Sequence, residues 1–343
     1  MNERTADTRA VRTVVSGPMR VVVTGAAGRL ARVLLPRLCA DPAIERVVAI
    51  DRVRIGFGHP KLVPVIGDIG DAATHGHLDG AAALVNLAAV LLRGRTRIEA
   101  MRATNVDATK ALLAAALERR VPAIVHLSSA AIYGNGEDLA ESAPLAPLPG
   151  FRYAEQKAEV EAWIARELPS AVVLRPVAIL GPNAQPLLRR LFAAPCYLRV
   201  PDPQPRFQCV HEDDVADAIM LALQRACGGP SRASRLPQAS NASDASGAFN
   251  LAAPSAFALR DLALARHPHA PAIAPGVARA MLALAWVLAR WGGEPGWHRG
   301  IERSLTVDCA RAERVLGWRA RHEDWRAIAG AAGQSRNRSM PAG

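Results

Sequence analysis

Tyr153 and Lys157 stand four residues apart in Tyr153-Ala154-Glu155-Gln156-Lys157. On a helix that spacing puts two side chains one turn apart on the same face. A phenol beside an ammonium has the parts of a general base. A hydride leaving a carbinol carbon requires a base to take the hydroxyl proton, and a phenol at its free pKa near 10 is too weak for that at neutral pH. A nearby ammonium and the positive ring of a hydride-accepting cofactor favour the phenolate and lower that value. The chain has three tyrosines and three lysines (Lys61, Lys110, Lys157), so a chance Y-x-x-x-K is expected about 0.03 times. Arginine supplies nearly all of the other basic residues, and it would not substitute for Lys157, being permanently charged, bulkier and differently shaped. A hydroxyl to orient a substrate oxygen toward the tyrosine is offered by Ser128 and Ser129, which follow the apolar run Ala123 to Leu127.

A second constellation lies near the start. Thr24-Gly25-Ala26-Ala27-Gly28-Arg29-Leu30-Ala31 follows the β-branched run of residues 20–24 and precedes a helical pattern. Glycines there permit a tight turn, and the backbone amides of Gly25, Ala27, Gly28, Arg29 and Leu30 can approach a pyrophosphate at the helix N-terminus. Asp51 closes the next apolar run, 23 residues after Gly28, near the roughly 20 that place a carboxylate on the adenosine ribose. A carboxylate repels a 2′-phosphate, which favours NAD. Arg52 and Arg29 are cations that keep NADP open.

The elements that must hold these residues alternate. Apolar runs at 20–24, 47–50, 62–66, 83–87, 123–127 and 171–174 read as strands. Residues 29–39, 104–119 and 153–167 read as helices. Near-continuous apolar strands between helices signal a parallel sheet covered on both faces. The expected fold is therefore α/β, a Rossmann-type doubly wound parallel sheet with a smaller, irregular C-terminal substrate domain. Residues 19–175 are expected as the dinucleotide-binding domain. Residues 176–330 are expected as mainly substrate-binding, with some segments returning to the sheet. Residues 1–18 and 331–343 are expected as disordered tails, and 228–247 as a loose loop.

These motifs together resemble the extended short-chain dehydrogenases, the epimerase/dehydratase group. The turn is similar to that family's T-G-x-x-G-x-x-G, with Ala31 in place of the third glycine, a position that mainly serves helix–strand packing. Gly67-Asp68-Ile69, Asn86-Leu87-Ala88-Ala89, Asn105, Leu174-Arg175-Pro176, Val210-His211-Glu212-Asp213-Asp214 and Leu316-Gly317-Trp318 extend the likeness in islands from about residue 19 to 320. The resemblance implies that Asp68 and Ile69 lie by the adenine and that Leu87, Ala88 and Ala89 line the cofactor. It implies that Lys157 holds the nicotinamide ribose beside Tyr153, with Asn105 and Pro176 among the further contacts. Its S-S-x-x-x-Y-G pattern selects Ser129 as the catalytic hydroxyl, four before Tyr133, with Ser128 the alternative.

The same likeness narrows the reaction. Sugar-nucleotide 4,6-dehydratases carry an acid pair just after that hydroxyl, where this chain has Ala130 and Ala131, so a dehydratase is disfavoured. Oxidation, reduction or epimerisation of a small molecule remains, a nucleotide sugar being favoured and a steroid-like hydrophobic alcohol the alternative. Many sugar-nucleotide epimerases grip the diphosphate with an arginine where this chain has Phe207, with Arg206 one residue away. Two further readings compete. One is a non-catalytic dinucleotide sensor, which would have no need of Ser129, Tyr153 and Lys157. The other is a nucleic-acid or membrane-surface protein drawn by the net charge of +11, although no basic helix with interleaved aromatics is present. Five dispersed cysteines without a C-x-x-C pair fit neutral thiols, no metal site and a cytoplasmic setting. The apolar stretch Val277 to Trp291 reads as a core helix or a surface-seeking amphipathic helix, the core being favoured, with Trp286, Trp291 and Trp297 also expected in the core. Ten residues separate Arg279 from Arg290, too few for a membrane span. A homodimer through the helices at 104–119 and 153–167 is what the family implies.

Overall fold

The computed structural model describes residues 19–91, 96–227, 246–289 and 295–333. Its centre is a seven-stranded sheet of β1 (Met19–Thr24), β2 (Ile44–Asp51), β3 (Leu62–Ile66), β4 (Ala83–Asn86), β5 (Ala123–Leu127), β6 (Val172–Pro176) and β7 (Gly247–Leu251). The strands are all parallel and lie in the order β7-β6-β5-β4-β1-β2-β3. The chain reverses its direction of travel across the sheet between β1 and β4. In open parallel sheets, ligands bind outside the carboxyl ends of the strands at such a switch.

The strands are apolar on both faces because both faces are covered. Val21, Val23, Val47, Ala49, Val85 and Val125 point into one core, and their neighbours Val22, Val48, Ile50, Leu84 and Ile124 into the other. Four helices complete these layers: α1 (Ala31–Ala40), α2 (Thr109–Glu118), α3 (Arg152–Glu167) and α4 (Glu212–Cys227). Leu34, Leu35 and Leu38 of α1 share the first core with Val215, Ile219 and Leu223 of α4. Leu112 and Leu113 of α2 share the second with Val160 and Ile164 of α3. Each such side chain contributes about 1.5–3 kcal/mol on full burial.

All six strands read from the sequence are present, with ends shifted by a few residues. β7 was not read as a strand, because Gly-Ala-Phe-Asn-Leu lacks a β-branched run. The helix expected at 104–119 begins at Ile98 and passes through a π-helical turn, Ala103–Ala108, before α2. Beyond β6 lie short paired strands at 178–180 with 209–211, 197–198 with 272–273, and 136–139 with 305–307. A third cluster holds this half together: Leu180, Phe192, Phe257, Leu262, Trp325 and Ile328.

Two expectations are corrected. Helix α5 (Pro275–Ala289) is not a core helix, since Val277, Met281, Leu284 and Leu288 are each more than half exposed. Its apolar residues are ordered along a face that packs against nothing described. Helix α6 (Trp325–Gly333) runs into the stretch expected as a C-terminal tail, because Ala332 is buried in the third cluster. Trp291 and the side chains of Trp286 and Trp297 lie outside the described residues, as do residues 1–18, 228–245 and 334–343.

Candidate active site

The switch between β1 and β4 is built from close backbone contacts. Gly25 has φ +69°, and a Cβ there would stand 2.7 Å from the Ala88 nitrogen and 2.8 Å from the Leu87 carbonyl carbon. Only glycine lets the first turn pass under the loop that follows β4. A Cβ on Gly28 would stand 2.8 Å from the Gly25 oxygen, so this turn leaves a cradle with no room for side chains. Ala31 is fully buried in the first core, which accounts for alanine where the family pattern has glycine. At the end of β2, Asp51 accepts from the Ala27 amide at 3.0 Å and the Val53 amide at 3.2 Å. Its carboxylate is thereby fixed against the glycine turn. Asp68 accepts from the Gly70 amide at 2.9 Å and faces Arg52 across 3.8 Å at the surface. Ile69 is buried in the second core. Arg29 reaches the Ala184 carbonyl at 3.3 Å and so ties the turn to the substrate half. Burial and the neighbouring Arg32 and Arg189 hold its guanidinium below its ordinary pKa.

A buried polar brace runs beneath the turn. Asn86 accepts from the Thr24 hydroxyl at 2.7 Å and the Ala88 amide at 3.2 Å, and its amide donates to His126 Nδ1 at 3.2 Å. That bond assigns the His126 proton to Nε2. Burial, then the charge of Lys157, keeps the imidazole neutral, far below its usual pKa. Asn105 is used differently from the sequence expectation. The π turn directs it to donate to the Val90 carbonyl at 2.9 Å and to Gln156 Oε1 at 2.9 Å, and to accept from the Val90 amide at 2.7 Å. With its amide fully engaged, Asn105 clamps the loop after β4 rather than lining the cavity.

At the carboxyl end of β5, Ser129 caps a short 3₁₀ turn through its hydroxyl, which accepts from the Ala131 amide at 3.2 Å. The first turns of α3 bring Tyr153 and Lys157 to the same place, and all three line one cavity of about 420 Å³. Lys157 is buried and donates to the Leu127 carbonyl at 2.6 Å, with Nζ 5.9 Å from the Tyr153 ring centroid. Burial lowers the lysine to about 8, against the pull of Glu161. Burial raises the Tyr153 phenol above its ordinary value, and the Ser129 hydroxyl draws it only part of the way back. In the protein alone desolvation governs the phenol, and the lowering expected from the sequence rests on the ammonium together with the positive ring of a bound cofactor.

One residue that spacing could not find supports this pair. Glu161, one turn beyond Lys157, forms a buried ion pair with Arg175 at 2.5 Å. Arg175 also donates to the Tyr133 hydroxyl at 2.6 Å and the Glu141 carbonyl at 3.0 Å. Tyr133 in turn donates to Asn250 at 2.9 Å, so it is a brace within the protein and not a substrate contact.

Of the expected site residues, Gly25, Gly28, Arg29, Leu30, Leu87, Ala89, Ser129, Tyr153, Lys157 and Pro176 line the cavity. Ala27, Asp51, Arg52, Asp68, Ile69, Ala88 and Asn105 do not; apart from Asn105, they flank the glycine turn or the ends of β2, β3 and β4. Ser128 also lines the cavity, and its buried hydroxyl has no hydrogen-bond partner. The far wall is apolar, with Leu148, Phe151, Leu188, Phe192, Phe207 and Phe257. Arg206 does not compensate for Phe207: it is exposed, donates to the Ala256 carbonyl at 3.3 Å, and stays outside the cavity. Glu212 lines the cavity, and Asp213 does not. Glu212 accepts from the Asn183 amide and side chain, and Asp213 pairs with Arg37. Burial pushes the Cys209 and Cys309 thiols up to about 12, which keeps them neutral.

Comparison with known proteins agrees with this geometry. A ketoreductase of Stigmatella aurantiaca that acts on 4-hydroxy-2-methyl-3-oxo-4-farnesyl-3,4-dihydroquinoline-1-oxide is 29% identical over 62% of this chain and 66% of its own length. A decarboxylating sterol-4-alpha-carboxylate 3-dehydrogenase of Candida albicans is 32% identical over 35% of this chain and 38% of its own. The chain thus spans less than two thirds of the length of both relatives. Among solved structures, a dTDP-glucose 4,6-dehydratase of Streptomyces venezuelae with NAD bound superposes with a TM-score of 0.66 at 22% identity, over 92% of this chain and 96% of that one. The family model described as NAD dependent epimerase/dehydratase matches residues 21–233. With that match over more than half its length, the chain belongs to the NAD dependent epimerase/dehydratase family.

Proposed function

We propose that this protein interconverts a secondary alcohol and a ketone on a predominantly apolar small molecule, using NAD. One observation carries the reading: Ser129, Tyr153 and Lys157 converge in a cavity that begins at the glycine turn and ends in an apolar wall. The glycine turn, Gly25 to Leu30, would hold the dinucleotide's pyrophosphate, Asp51 its adenosine ribose, and Asp68 with Ile69 its adenine side. The cradle that a Cβ on Gly25 or Gly28 would fill supports that fit. When bound, the dinucleotide supplies the hydride acceptor and, in its oxidised form, a positive charge. Ser129 donates a hydrogen bond to the substrate oxygen and orients it toward Tyr153. The Tyr153 phenolate takes the hydroxyl proton during oxidation, and the phenol returns it during reduction. Lys157 keeps a positive charge beside the tyrosine and holds the nicotinamide ribose.

The apolar reading replaces the nucleotide sugar as first choice. With Phe207 in the wall and Arg206 outside, the cavity shows no arginine at the expected diphosphate grip among the described residues, and Ala131 leaves no acid where a dehydratase needs one. The sterol and farnesyl relatives support the same choice. A homodimer pairing α2 and α3 with their counterparts belongs to this proposal, and sedimentation of the purified chain tests it.

The direct test is titration with NADH and NADPH, repeated with polycyclic and isoprenoid ketones and with sugar nucleotides. NADH binding sharpened by the apolar ketones is expected. Sharpening by sugar nucleotides alone would overturn the substrate class, and no cofactor binding would overturn the enzyme. Tyr153→Phe should lower turnover about a hundredfold or more and leave NADH affinity within a few-fold. An equally active variant would remove Tyr153 from the chemistry.

A further inference from the structure

Helix α5 carries an apolar face that the fold does not use. Val277, Met281, Leu284 and Leu288 recur at i, i+4, i+7 and i+11, which places them within one narrow arc of the helix. Their exposures lie between 54 and 73%, and Val287 beside them is 67% exposed, whereas most apolar positions of α1, α2 and α3 are buried, Leu117 of α2 being an exception. No acidic residue occurs in Pro275–Ala289. The charges around it are chiefly basic: residues 259–303 hold six arginines against three acids, with Arg299 and Arg303 exposed and Arg279 facing Glu302 at 3.3 Å. The chain as a whole carries +11.

We infer that this face seats the protein on the surface of an anionic lipid bilayer. The helix has 15 residues, short of the roughly 20 that span a bilayer, so it lies in the plane of the interface. Exposed apolar side chains with exposed arginines close by in the chain combine the two attractions that hold a protein at an anionic interface, apolar burial and charge. A second copy of the chain fits less well. A helix of this length is about 22 Å long and about 10 Å wide, and its face offers far less than the roughly 800 Å² per partner of a stable dimer. A position beside the cavity adds a consequence. The turn Pro295–Glu302 follows α5, and its Gly300 and Ile301 line the cavity wall. A docked α5 therefore brings the apolar end of the cavity to the membrane, where a lipid-soluble substrate is concentrated. That consequence rests on the proposed substrate class; the docking itself does not.

Flotation of the full chain with phosphatidylcholine vesicles, with and without 30% phosphatidylglycerol, tests it. The wild type should float with the anionic vesicles and at least tenfold less with phosphatidylcholine alone. Met281→Glu/Leu284→Glu/Leu288→Glu should lose at least tenfold of that binding while keeping its NADH affinity and unfolding temperature. Arg299→Gln/Arg303→Gln should lose a smaller part, chiefly at low salt. Absence of flotation, equal flotation of the triple variant, or equal binding to neutral vesicles each overturns the proposal. So does a wild-type dimer that the triple variant dissociates, which would make the face a self-association surface. Flotation without NADH binding would instead sink the proposed reaction and leave the docking intact.

Discussion

Lys157 offers a measurable consequence of placing a charged amine inside the site. Its side chain is 3% exposed and its pKa is lowered to about 8 from an ordinary 10.5. Between those values the unfolded chain binds a proton that the folded chain does not, so stability rises with pH across the window. Below pH 8 the folded protein carries a buried ammonium at a cost of about 3 kcal/mol, from 2.5 pH units at 1.36 kcal/mol each. Most of that, about 2–3 kcal/mol, should be recovered between pH 7 and pH 10. Other groups also titrate there, and Lys157→Met removes this one alone. Urea unfolding of wild type and Lys157→Met at half-unit pH intervals gives the difference curve. The wild type should gain on the variant by about 2–3 kcal/mol over this range, while the variant loses turnover at every pH. A difference curve that stays flat from pH 7 to 10 would mean that the amine is solvated, and the account of the site as desolvated would fail with it.

Three other perturbations probe separate parts of the structure. Gly25→Ala adds a Cβ at φ +69° and 2.7 Å from the Ala88 backbone, so it should destabilise by about 2–4 kcal/mol, combining the left-handed penalty with overpacking, and weaken NADH binding; unchanged thermal unfolding would refute the close approach. Asp51→Ala should weaken NADH more than NADPH, and an unaltered ratio in the two titrations would place the ribose elsewhere. Glu161→Gln leaves Arg175 charged without its buried partner and should cost about 3–5 kcal/mol in urea unfolding; a loss below 1 kcal/mol would show that Tyr133 and Glu141 hold the guanidinium unaided.

The Tyr153–Lys157 pair proposed for catalysis and the glycine turn were legible in the sequence because their spacing is local. Four residues on a helix fix the Tyr153–Lys157 geometry, and a turn between a strand and a helix fixes Gly25 and Gly28. Contacts between distant segments were not legible. Asn105 looked like a cofactor contact by its place in the pattern, and only the π turn shows that its amide is directed to Val90 and Gln156. Strand β7 was missed because its place depends on pairing with β6 and not on its own propensity. For helix α5, composition left a core and a surface-seeking helix both open and favoured the core. An apolar helix that is buried and one that faces outward share that composition, and only the packing around them separates the two. The wall of the cavity was equally hidden, since Leu148, Phe192, Phe207 and Phe257 come from four separate segments, one of them the short helix Pro186–Phe192, with no common period.

The burial of the Tyr153–Lys157 pair, on which the proposed apolar substrate class also rests, sets its acid–base state. Desolvation moves both groups toward neutrality, raising the phenol and lowering the amine, so the protein alone holds Tyr153 as an acid. In a medium this poorly screened, a positive charge brought close to the phenol acts more strongly than in water. Tyr153 should therefore be a poor base in the free protein and become a competent one with the oxidised dinucleotide in place, whereas proton donation during reduction needs no such help. A hydrophobic cavity and a tyrosine poised to donate belong together physically. They favour the direction in which a ketone enters from an apolar environment and leaves as an alcohol. Conversion in the oxidative direction should then show the steeper rise with pH, and identical pH profiles for the two directions would contradict this account of how burial governs the site.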